Sequence, residues 1–475
     1  MSPPLHIPID RSAKATLAEQ IRQGILAAIG SGALGPGARL PSWITLSAQL
    51  GVARGTVKSA YERLADEQVV VSSRSGGTKV AACPGGSGRP IPATEAETPP
   101  ALYQHLLLGP AIFQMGIPAA EGFPTNLLAR LRMQAARAEI AGPAVYPDPR
   151  GEIELRREIA AHVALARGME CSPSRIFITA GFAGALGAVL NVLGVEGRQA
   201  WMENPGFFQS RKALEVARLD PVPIPVDEDG MDVAYGMAEA ADAALALVTP
   251  GQHAPLGATL SLERRLELIG WAARTGAWII EDDYLGELQL DRRAAPALAS
   301  LDRDGRVIHI GTFSKTISPA LRLGFIVAPA CLEERFTEAA LCFGSAPGPA
   351  LQYAIAQFMA EGHYMRHLRR MKRIYSARSE ALRDAMERKG YRVHIGGLAA
   401  VLRLPDGVSD VSIARNALAH GLAPSPLSSW FCPGTHREPG LLLGVATVTE
   451  KQIEAACDQL HELIQASAGN GGDVA

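Results

Sequence analysis

Short apolar runs that alternate with helical stretches are the feature that most restricts the fold of this chain. Five such runs occupy residues 176–179, 199–202, 245–248, 277–280 and 307–310. This alternation predicts a mostly parallel sheet covered by helices. Ligands of such sheets bind where the strands end and the loops begin.

The length and composition of the chain indicate more than one soluble domain. The chain has 475 residues, of which 47% are hydrophobic and 20% are charged. These fractions are typical of globular proteins, and the length exceeds that of one ordinary domain. No apolar run approaches the roughly 18 residues of a membrane span, and the first residues lack the basic start and apolar core of a signal peptide.

The cysteines bear on the cellular compartment. The chain has six of them, widely separated, and no two form a Cys-x-x-Cys pair. We therefore expect reduced thiols and a cytoplasmic protein, with neither a disulfide framework nor a metal site.

The net charge of −2 is unevenly distributed along the chain. Residues 11–80 contain nine Lys or Arg and four Asp or Glu, a net charge of +5, which leaves −7 for the remainder. A small basic segment joined to a larger acidic body favours a module that binds a polyanion. Residues 82–105 are rich in Pro, Gly, Ser and Thr, and they are predicted to form the linker between the two parts.

The basic segment has the pattern of a helix-turn-helix. Apolar residues recur every fourth position over 17–29, and Ser42 is placed to cap a second helix that runs to residue 50. After Gly51, a third helix is predicted to run to about residue 67, with Arg54, Thr56 and Lys58 near its start. This layout suits insertion into a major groove. The alternative is an ordinary three-helix unit whose charges are solvated.

A β-prone pair of runs, 69–71 and 78–80, follows these helices and predicts a hairpin that serves as a wing. Over residues 10–81 the chain resembles the GntR family of winged helix-turn-helix proteins. The resemblance is carried by residues 36–42 (Pro-Gly-Ala-Arg-Leu-Pro-Ser), 50–57 and the wing tip 76–78. It implies contacts to double-stranded promoter DNA from Arg54 first, and also from Thr56, Lys58, Ser42 and Gly77. The family usually has an Arg shortly after Pro-Ser, where this chain has Trp-Ile-Thr at 43–45.

A lysine follows the last predicted strand of the larger part. Burial at a strand end disfavours the ammonium form of Lys315 and favours its free amine. The hydroxyls of Thr312 and Ser314, with the cation of Arg322, could surround a phosphate. An amine beside a phosphate site is what pyridoxal phosphate requires. The alternative is a Ser-Lys turn on the surface.

Other candidate residues lie at the ends of neighbouring predicted strands. Gly181 and Phe182 open a helix whose N-terminus could bind phosphate. Phe207 could stack on a pyridine ring, although a phenylalanine is often buried in a core. A carboxylate within 281–283 could pair with a protonated pyridine nitrogen, and the hydroxyl of Tyr284 could reach the ring oxygen.

This ordered set resembles the fold-type I aminotransferases over residues 106–468, and the whole chain resembles the MocR subfamily of bacterial regulators. The resemblance implies a large α/β domain, with Lys315 as the Schiff-base lysine. Asp282 is the implied partner of the pyridine nitrogen, with Asp283 as a rival. The other implied cofactor contacts are Tyr284 at the ring oxygen, Phe207 stacked on the ring, Gly181, Phe182, Ser314 and Arg322 at the phosphate, and Tyr146 reaching a neighbouring subunit's site. A head-to-tail homodimer with exchanged winged-helix modules is also implied.

Several positions depart from the aminotransferase pattern. Leu442 stands where a substrate-binding Arg is common, and Ala254 stands in place of an Asn near the ring oxygen. We therefore expect a DNA-binding regulator that senses an amine, an amino acid or pyridoxal phosphate itself. The alternative is an active aminotransferase with an appended DNA-binding domain.

Overall fold

In the computed structural model the chain has two compact units, Met1–Ala101 and Leu102–Ala475. The structure describes residues 7–13, 15–67, 69–73, 77–81, 111–290, 295–344, 346–405 and 407–469. The linker expected at 82–105 lies outside the described residues and stays a prediction.

The N-terminal unit consists of three helices followed by an antiparallel pair of strands. The elements are α1 (Leu17–Gly30), α2 (Trp43–Leu50), α3 (Arg54–Asp66), β1 (Val70–Ser73) and β2 (Gly77–Val80). The hydroxyl of Ser42 accepts the Thr45 N–H at 3.0 Å and thereby caps α2. Gly51 ends α2 with a φ of +63°, a left-handed conformation that glycine adopts without steric cost.

The apolar stripes of the three helices meet in one core. Ile21, Ile25, Leu46, Val57 and Leu64 are all buried in this cluster. Ile21 and Ile25 are four residues apart and Val57 and Leu64 are seven apart, so each pair lies on one face of its helix. The charged residues of these helices lie on the other faces. The predicted winged helix-turn-helix fold is therefore confirmed, while the turn at 74–76 lies outside the described residues.

The larger unit is built on a mixed sheet. Among the described residues this sheet has eight strands, in the order β3-β10-β9-β8-β7-β4-β5-β6. The strands are β3 (Ile176–Thr179), β4 (Gln199–Asn204), β5 (Asp220–Asp227), β6 (Gly230–Met231), β7 (Leu245–Val248), β8 (Trp278–Asp283), β9 (Val307–Thr312) and β10 (Gly324–Val327). The pairs β4·β5, β4·β7, β7·β8 and β8·β9 are parallel, whereas β10 is antiparallel to β3 and to β9. The five predicted runs all form strands of this sheet.

Helices cover both faces of the sheet and the C-terminal region. They are α4 (Thr125–Ala141), α5 (Ile153–Arg167), α6 (Gly181–Leu193), α7 (Phe208–Val216), α8 (Val233–Glu239), α9 (Leu262–Thr275), α10 (Glu333–Phe343), α11 (Pro349–Ala360), α12 (His363–Glu387), α13 (Asp410–Leu418) and α14 (Glu450–Gly469). Three buried apolar clusters join the helices to the sheet. No helix within the described ranges is long and apolar enough to cross a membrane.

A smaller antiparallel sheet lies in the C-terminal part of the larger unit. Its strands are β11 (Val393–Gly396), β12 (Ala399–Arg403), β13 (Ser425–Pro426) and β14 (Gly440–Gly444), in the order β11-β12-β14-β13. One face packs on α12, α13 and α14 through a buried cluster. The segment around Phe113 joins this sheet, because Phe113 pairs with Gly444 and Ile112 pairs with Leu422.

Candidate cofactor site and DNA-binding surface

The predicted cofactor lysine follows β9, at the place where β3 and β9 end and β10 begins. Gly324 at the start of β10 is in register with Thr179 at the end of β3 and with Thr312 at the end of β9. The loops that carry the candidate residues therefore start at the same end of the strands of this sheet. Lys315 is half-buried there, and its Nζ donates a hydrogen bond to the Gly116 carbonyl at 2.9 Å.

The four predicted phosphate contacts lie around this edge. Gly181 (φ +71°) and Arg322 (φ +48°) are both left-handed, and a Cβ added to Gly181 would lie 3.8 Å from the Arg322 backbone. Ser314 accepts a hydrogen bond from Thr312 Oγ1 at 3.1 Å. Phe182 lies in the first turn of α6, where the backbone N–H groups have no partner inside the helix. A helix N-terminus, a hydroxyl and an exposed guanidinium form a donor set that fits a phosphate.

The neighbouring carboxylates of β8 have different environments. Asp283 accepts a hydrogen bond from Nε of the buried Arg167 at 2.7 Å. Asp282 points to the other face of the strand, where burial raises its pKa well above the ordinary range and Asp283 and Glu203 add to the shift. Burial lowers the pKa of the Lys315 amine, and the Asp282 carboxylate opposes that change. A cation beside Asp282, such as a protonated pyridine nitrogen, would stabilise its ionised form. This geometry favours Asp282 over Asp283 for that role.

The remaining cofactor candidates fall into two groups. The ring of Phe207 lies 6.5 Å from that of Phe182 and 5.9 Å from that of Trp430, so Phe207 borders the same site. Tyr284 is half-buried, and its pKa is raised by burial and then by Asp282. Tyr146, in contrast, is fully exposed within the single chain.

A buried carboxylate and histidine behind Phe207 were not predicted from the sequence. Glu203 accepts hydrogen bonds from the Thr249 N–H at 3.0 Å and the Thr249 hydroxyl at 2.6 Å, and burial raises its pKa to about 7. His253 donates from Nε2 to the Pro205 carbonyl at 2.9 Å and accepts the Leu256 N–H at Nδ1, while burial lowers its pKa to about 4. The sequence indicates only that Glu203 directly follows the apolar run 199–202 and that His253 lies shortly after the apolar run 245–248.

A second network lies between β8 and β9. Glu281 and His309 are opposite each other in the ladder, and His309 Nδ1 lies 3.0 Å from Glu281 Oε2. Burial raises the pKa of Glu281, but His309 and the Ala299 N–H overcome this effect and lower it to about 2. Burial lowers the pKa of His309, but Glu281 overcomes this effect and raises it. This network anchors β8 from the face opposite Asp282.

The predicted DNA contacts lie on α2, α3 and β2. Arg54 is the first residue of α3 and is exposed, Thr56 is half-buried, and Lys58 is exposed with its Nζ 3.6 Å from Glu62. The Ser42 hydroxyl accepts the Thr45 N–H and caps α2, and its contact with DNA stays a prediction. Gly77 (φ +70°) leaves room for a guanidinium, because an added Cβ would lie 3.0 Å from Arg39 Nη2.

Arg39 was not among the predicted DNA contacts. It is exposed and pairs with Lys79 of β2, so two cations lie side by side at the base of the wing. The signal was present in the sequence, because Arg39 belongs to the Pro-Gly-Ala-Arg-Leu-Pro-Ser run.

Comparisons with family models match both units. The model described as aminotransferase class I and II matches residues 120–460, and the model of the bacterial regulatory proteins of the gntR family matches residues 17–80.

Full-length relatives have the same two parts. The probable rhizopine catabolism regulatory protein MocR of Rhizobium meliloti is 32% identical over 98% of this chain and 97% of its own length. The HTH-type transcriptional regulator TauR of Rhodobacter capsulatus is 33% identical, over 89% of this chain and 91% of its own. The HTH-type pyridoxine biosynthesis transcriptional regulator PdxR of Corynebacterium glutamicum is 31% identical, over 94% and 95%.

Solved aminotransferases share the fold of the larger unit. LysN, the α-aminoadipate aminotransferase of Thermus thermophilus, in complex with N-(5'-phosphopyridoxyl)-L-leucine, superposes with a TM-score of 0.70 at 25% identity and covers 78% of this chain and 95% of its own. The kynurenine aminotransferase of Pyrococcus horikoshii has a TM-score of 0.68 at 22% identity, covering 77% and 93%. These matches confirm the predicted two-part architecture and the predicted pyridoxal phosphate cofactor.

Proposed function

Because the chain belongs to the MocR-type regulators of the GntR family, we propose that ligand binding at Lys315 controls how tightly α3 and the β1–β2 hairpin hold promoter DNA. The observation that carries this proposal is the combination found at one edge of the large sheet. The lysine, the buried Asp282 and the phosphate-binding surface are together there, whereas Leu442 stands where an aminotransferase has its carboxylate-binding Arg. The site is equipped to hold the cofactor and an amine without the usual means to turn over an α-amino acid.

The residues of the chain have distinct tasks in this proposal. Pyridoxal phosphate, when bound, supplies an aldehyde that condenses reversibly with a primary amine and releases one water molecule. Lys315 provides the resident amine, and its lowered pKa increases the fraction of the nucleophilic, unprotonated form. Asp282 would keep a proton at the pyridine nitrogen of the bound cofactor, and Phe207 would stack on its ring. The helix N-terminus at Gly181, together with Ser314 and Arg322, would hold the phosphate.

The nature of the signal has two candidates. An external primary amine could replace Lys315 at the aldehyde, or the arrival of pyridoxal phosphate could itself be the signal. The name of the Corynebacterium relative, a regulator of pyridoxine biosynthesis, favours the second candidate for that relative. Leu442 and the apolar residues around it favour the first candidate for this chain.

An active aminotransferase is the second candidate function. The complete cofactor site with Lys315 and Asp282 favours it, and the class I and II fold is shared with catalytic proteins. Leu442 and Ala254 count against it, because both lack the polar group that would orient an amino acid.

We place the protein in the cytoplasm as a homodimer, since an operator read by two helix-turn-helix units requires two copies.

DNA binding by the protein loaded with pyridoxal phosphate tests the proposal directly. Fluorescence anisotropy with a duplex from the gene's own upstream region should give a dissociation constant that an amine ligand shifts by about 5–150-fold, the usual range of coupling between two sites. Lys315→Ala should still bind the duplex but lose the response to the amine. An equal response in wild type and in Lys315→Ala would overturn the proposal, as would sustained turnover of an amino acid at a rate typical of enzymes, about 1–1000 per second.

A further inference from the structure

The two faces of the small sheet have different neighbours. Side chains alternate along a strand, so Leu441 and Leu443 point one way and Leu442 points the other. Leu441 and Leu443 are buried in the cluster formed with α12, α13 and α14. Leu442 instead packs with Val401, its partner on β12, and with Leu427 and Trp430.

The face that carries Leu442 is connected to the Lys315 site through residues 113–116. Gly444 lies two residues further along the same face, and its N–H donates to the Phe113 carbonyl at 2.8 Å. A Cβ on Gly444 would lie 2.2 Å from the Gln114 carbonyl oxygen, so the chain passes directly over this face. Two residues later, the Gly116 carbonyl accepts the hydrogen bond from Lys315 Nζ. The side chain at 442 therefore belongs to the wall of the cofactor site.

The loop that carries the predicted ring-stacking residue is tied to the same wall. The Gly206 N–H donates to the Trp430 carbonyl at 3.0 Å, and Asn204 Oδ1 accepts the Cys432 N–H at 2.8 Å. Phe207 consequently packs into the cluster that contains Leu442. We call this cluster the wall. Its buried members, named here the back, are Val401, Leu427, Trp430 and Leu442, and its partly exposed members, named the front, are Met115, Phe207, Ala254, Leu256 and Phe431.

Two arginines lie on the elements that carry this wall, Arg211 on α7 and Arg437 after Phe431. Arg211 Nη1 donates to the Phe431 carbonyl at 3.4 Å, and its Nε lies 3.9 Å from Glu215. Arg437 is exposed on the loop that follows Phe431. A carboxylate placed against the front of the wall would lose its hydration to hydrocarbon, which is strongly unfavourable, whereas an apolar group would gain by burial.

We propose that the ligand of this site is a primary amine with an apolar body and without a carboxylate on the carbon that bears the nitrogen, and that the apolar wall to which Leu442 belongs determines this specificity. The inference rests on the proposed function, because it requires the amine to bind beside Lys315. It adds the chemical class of the ligand, which the presence of Lys315 and its neighbours leaves open.

Matched pairs of an amino acid and its decarboxylated amine test the proposal, for example phenylalanine with phenethylamine and leucine with 3-methylbutylamine. Each ligand is titrated into the protein loaded with pyridoxal phosphate, and binding is followed by calorimetry and by the visible absorbance of the cofactor. An apolar pocket discriminates by about 10–200-fold per group, so the amine should bind at least about 10-fold more tightly than its parent amino acid. Equal or tighter binding of the amino acid, or binding of neither ligand, overturns the inference.

Failure of the proposed function gives a different result. If the protein binds no pyridoxal phosphate, or if Lys315→Ala gives the same absorbance as wild type, the cofactor assignment itself is wrong. If the cofactor is held through Lys315 and DNA is bound, but amines have no advantage, only the ligand class is wrong.

Two substitutions assign the specificity to the wall. Leu442→Arg should reverse the preference within each pair, because the guanidinium can pair with the carboxylate. Leu442 is buried and its substitution could impair folding, so Leu256→Ala, at the partly exposed front, is the second variant and should weaken amine binding by about 10-fold. Leu441→Met on the helix-facing side is the control, and its two affinities should match those of wild type. Unchanged preference in both test variants would overturn the role of the wall.

Discussion

Adjacent residues of one strand have different surroundings at the candidate cofactor site. Asp282 and Asp283 follow each other in β8, so their side chains point to opposite faces of the sheet. The sequence pattern alone left the choice between them open. The structure separates them, because Asp283 is paired with Arg167 whereas Asp282 lies within electrostatic reach of Lys315.

Substitution of the lysine tests the cofactor assignment. Lys315→Ala removes the amine that would hold the aldehyde, so the purified variant should lack the yellow colour and the visible absorbance expected of wild type. Mass spectrometry after borohydride reduction should find the cofactor mass on the peptide that contains Lys315 in wild type only. Lys212→Ala, at an exposed lysine on α7, is the control and should keep the colour. Retention of the reduced adduct in Lys315→Ala would contradict the assignment.

The two aspartates should respond differently to the same change. Asp283→Asn removes the carboxylate that is hydrogen-bonded to the buried guanidinium of Arg167, so we expect a loss of about 3–5 kcal/mol in the free energy of unfolding. Asp282→Asn relieves a repulsion among buried acids and should instead weaken pyridoxal phosphate binding by at least about 10-fold without that loss of stability. Denaturant titration and cofactor titration of both variants check this difference. An exchange of the two phenotypes would make Asp283 the partner of the pyridine nitrogen.

At the scale of secondary-structure elements, apolar periodicity predicted those parts of the fold that depend on local sequence. The runs at 176–179 and 245–248 match β3 and β7 residue for residue. β10 was not predicted, because it follows the left-handed Arg322 and runs antiparallel to both of its neighbours, β3 and β9. The pairing of Glu281 with His309 could not be predicted either, since it depends on which strands are neighbours. The direction of Leu442 required the register of the small sheet.

The free energy of unfolding at acid pH should depend on the pair of Glu281 and His309, which links β8 and β9. The pKa of Glu281 is about 2 in the folded chain, below its ordinary value of 4.5, so its contribution to stability is present above pH 4.5 and is lost as the pH falls towards 2. His309 has the opposite sign: its pKa is raised, so its contribution is present below its ordinary pKa and is lost as the pH rises through the raised value. Glu281→Gln should therefore reduce the slope of unfolding free energy against pH in the acid range by up to about 1.4 kcal/mol per pH unit. Glu263→Gln, at an exposed position on α9, should leave the slope unchanged.

The salt dependence of DNA binding tests the predicted contact of Arg54 on α3. Arg54→Ala should weaken binding to the upstream duplex and lower the slope of log affinity against log salt by about 1, because one phosphate contact is lost. Arg63→Ala, near the other end of α3 and 3.4 Å from Glu19, should leave the slope unchanged. Ile44→Arg, at an exposed position on α2, should raise the slope by about 1 by adding a cation that can contact a phosphate. A wild-type slope in Arg54→Ala would remove that residue from the DNA surface.

At the scale of the whole molecule, exposed apolar side chains are concentrated near one end of the large sheet. Ile140, Val145, Tyr146, Leu341 and Phe343 are each at least 71% exposed. They lie on α4, on α10 and on the segment that leads to Arg150, whose carbonyl accepts the N–H of Ile178 in the edge strand β3. The end of α4 also contacts the start of α11, through Glu139 and the Ala350 N–H at 3.4 Å. Such a concentration is typical of a surface that another protein covers, and we expect a second copy of this chain to cover it.

Charges placed in this surface should separate the two copies. Ile140→Glu combined with Phe343→Glu would bury two unpaired carboxylates in the expected interface, so sedimentation velocity should show a monomer for the variant and a dimer for wild type. Both side chains are exposed within one chain, so the double variant should keep its folded circular dichroism spectrum. Leu262→Glu is the matched control, because Leu262 is also exposed but follows Ser261, which bonds Asp229 near the opposite edge strand. The monomeric variant should bind a single half-site with the affinity of one helix-turn-helix unit and lose the added affinity of paired half-sites. A double variant that remains dimeric would place the interface elsewhere on the chain.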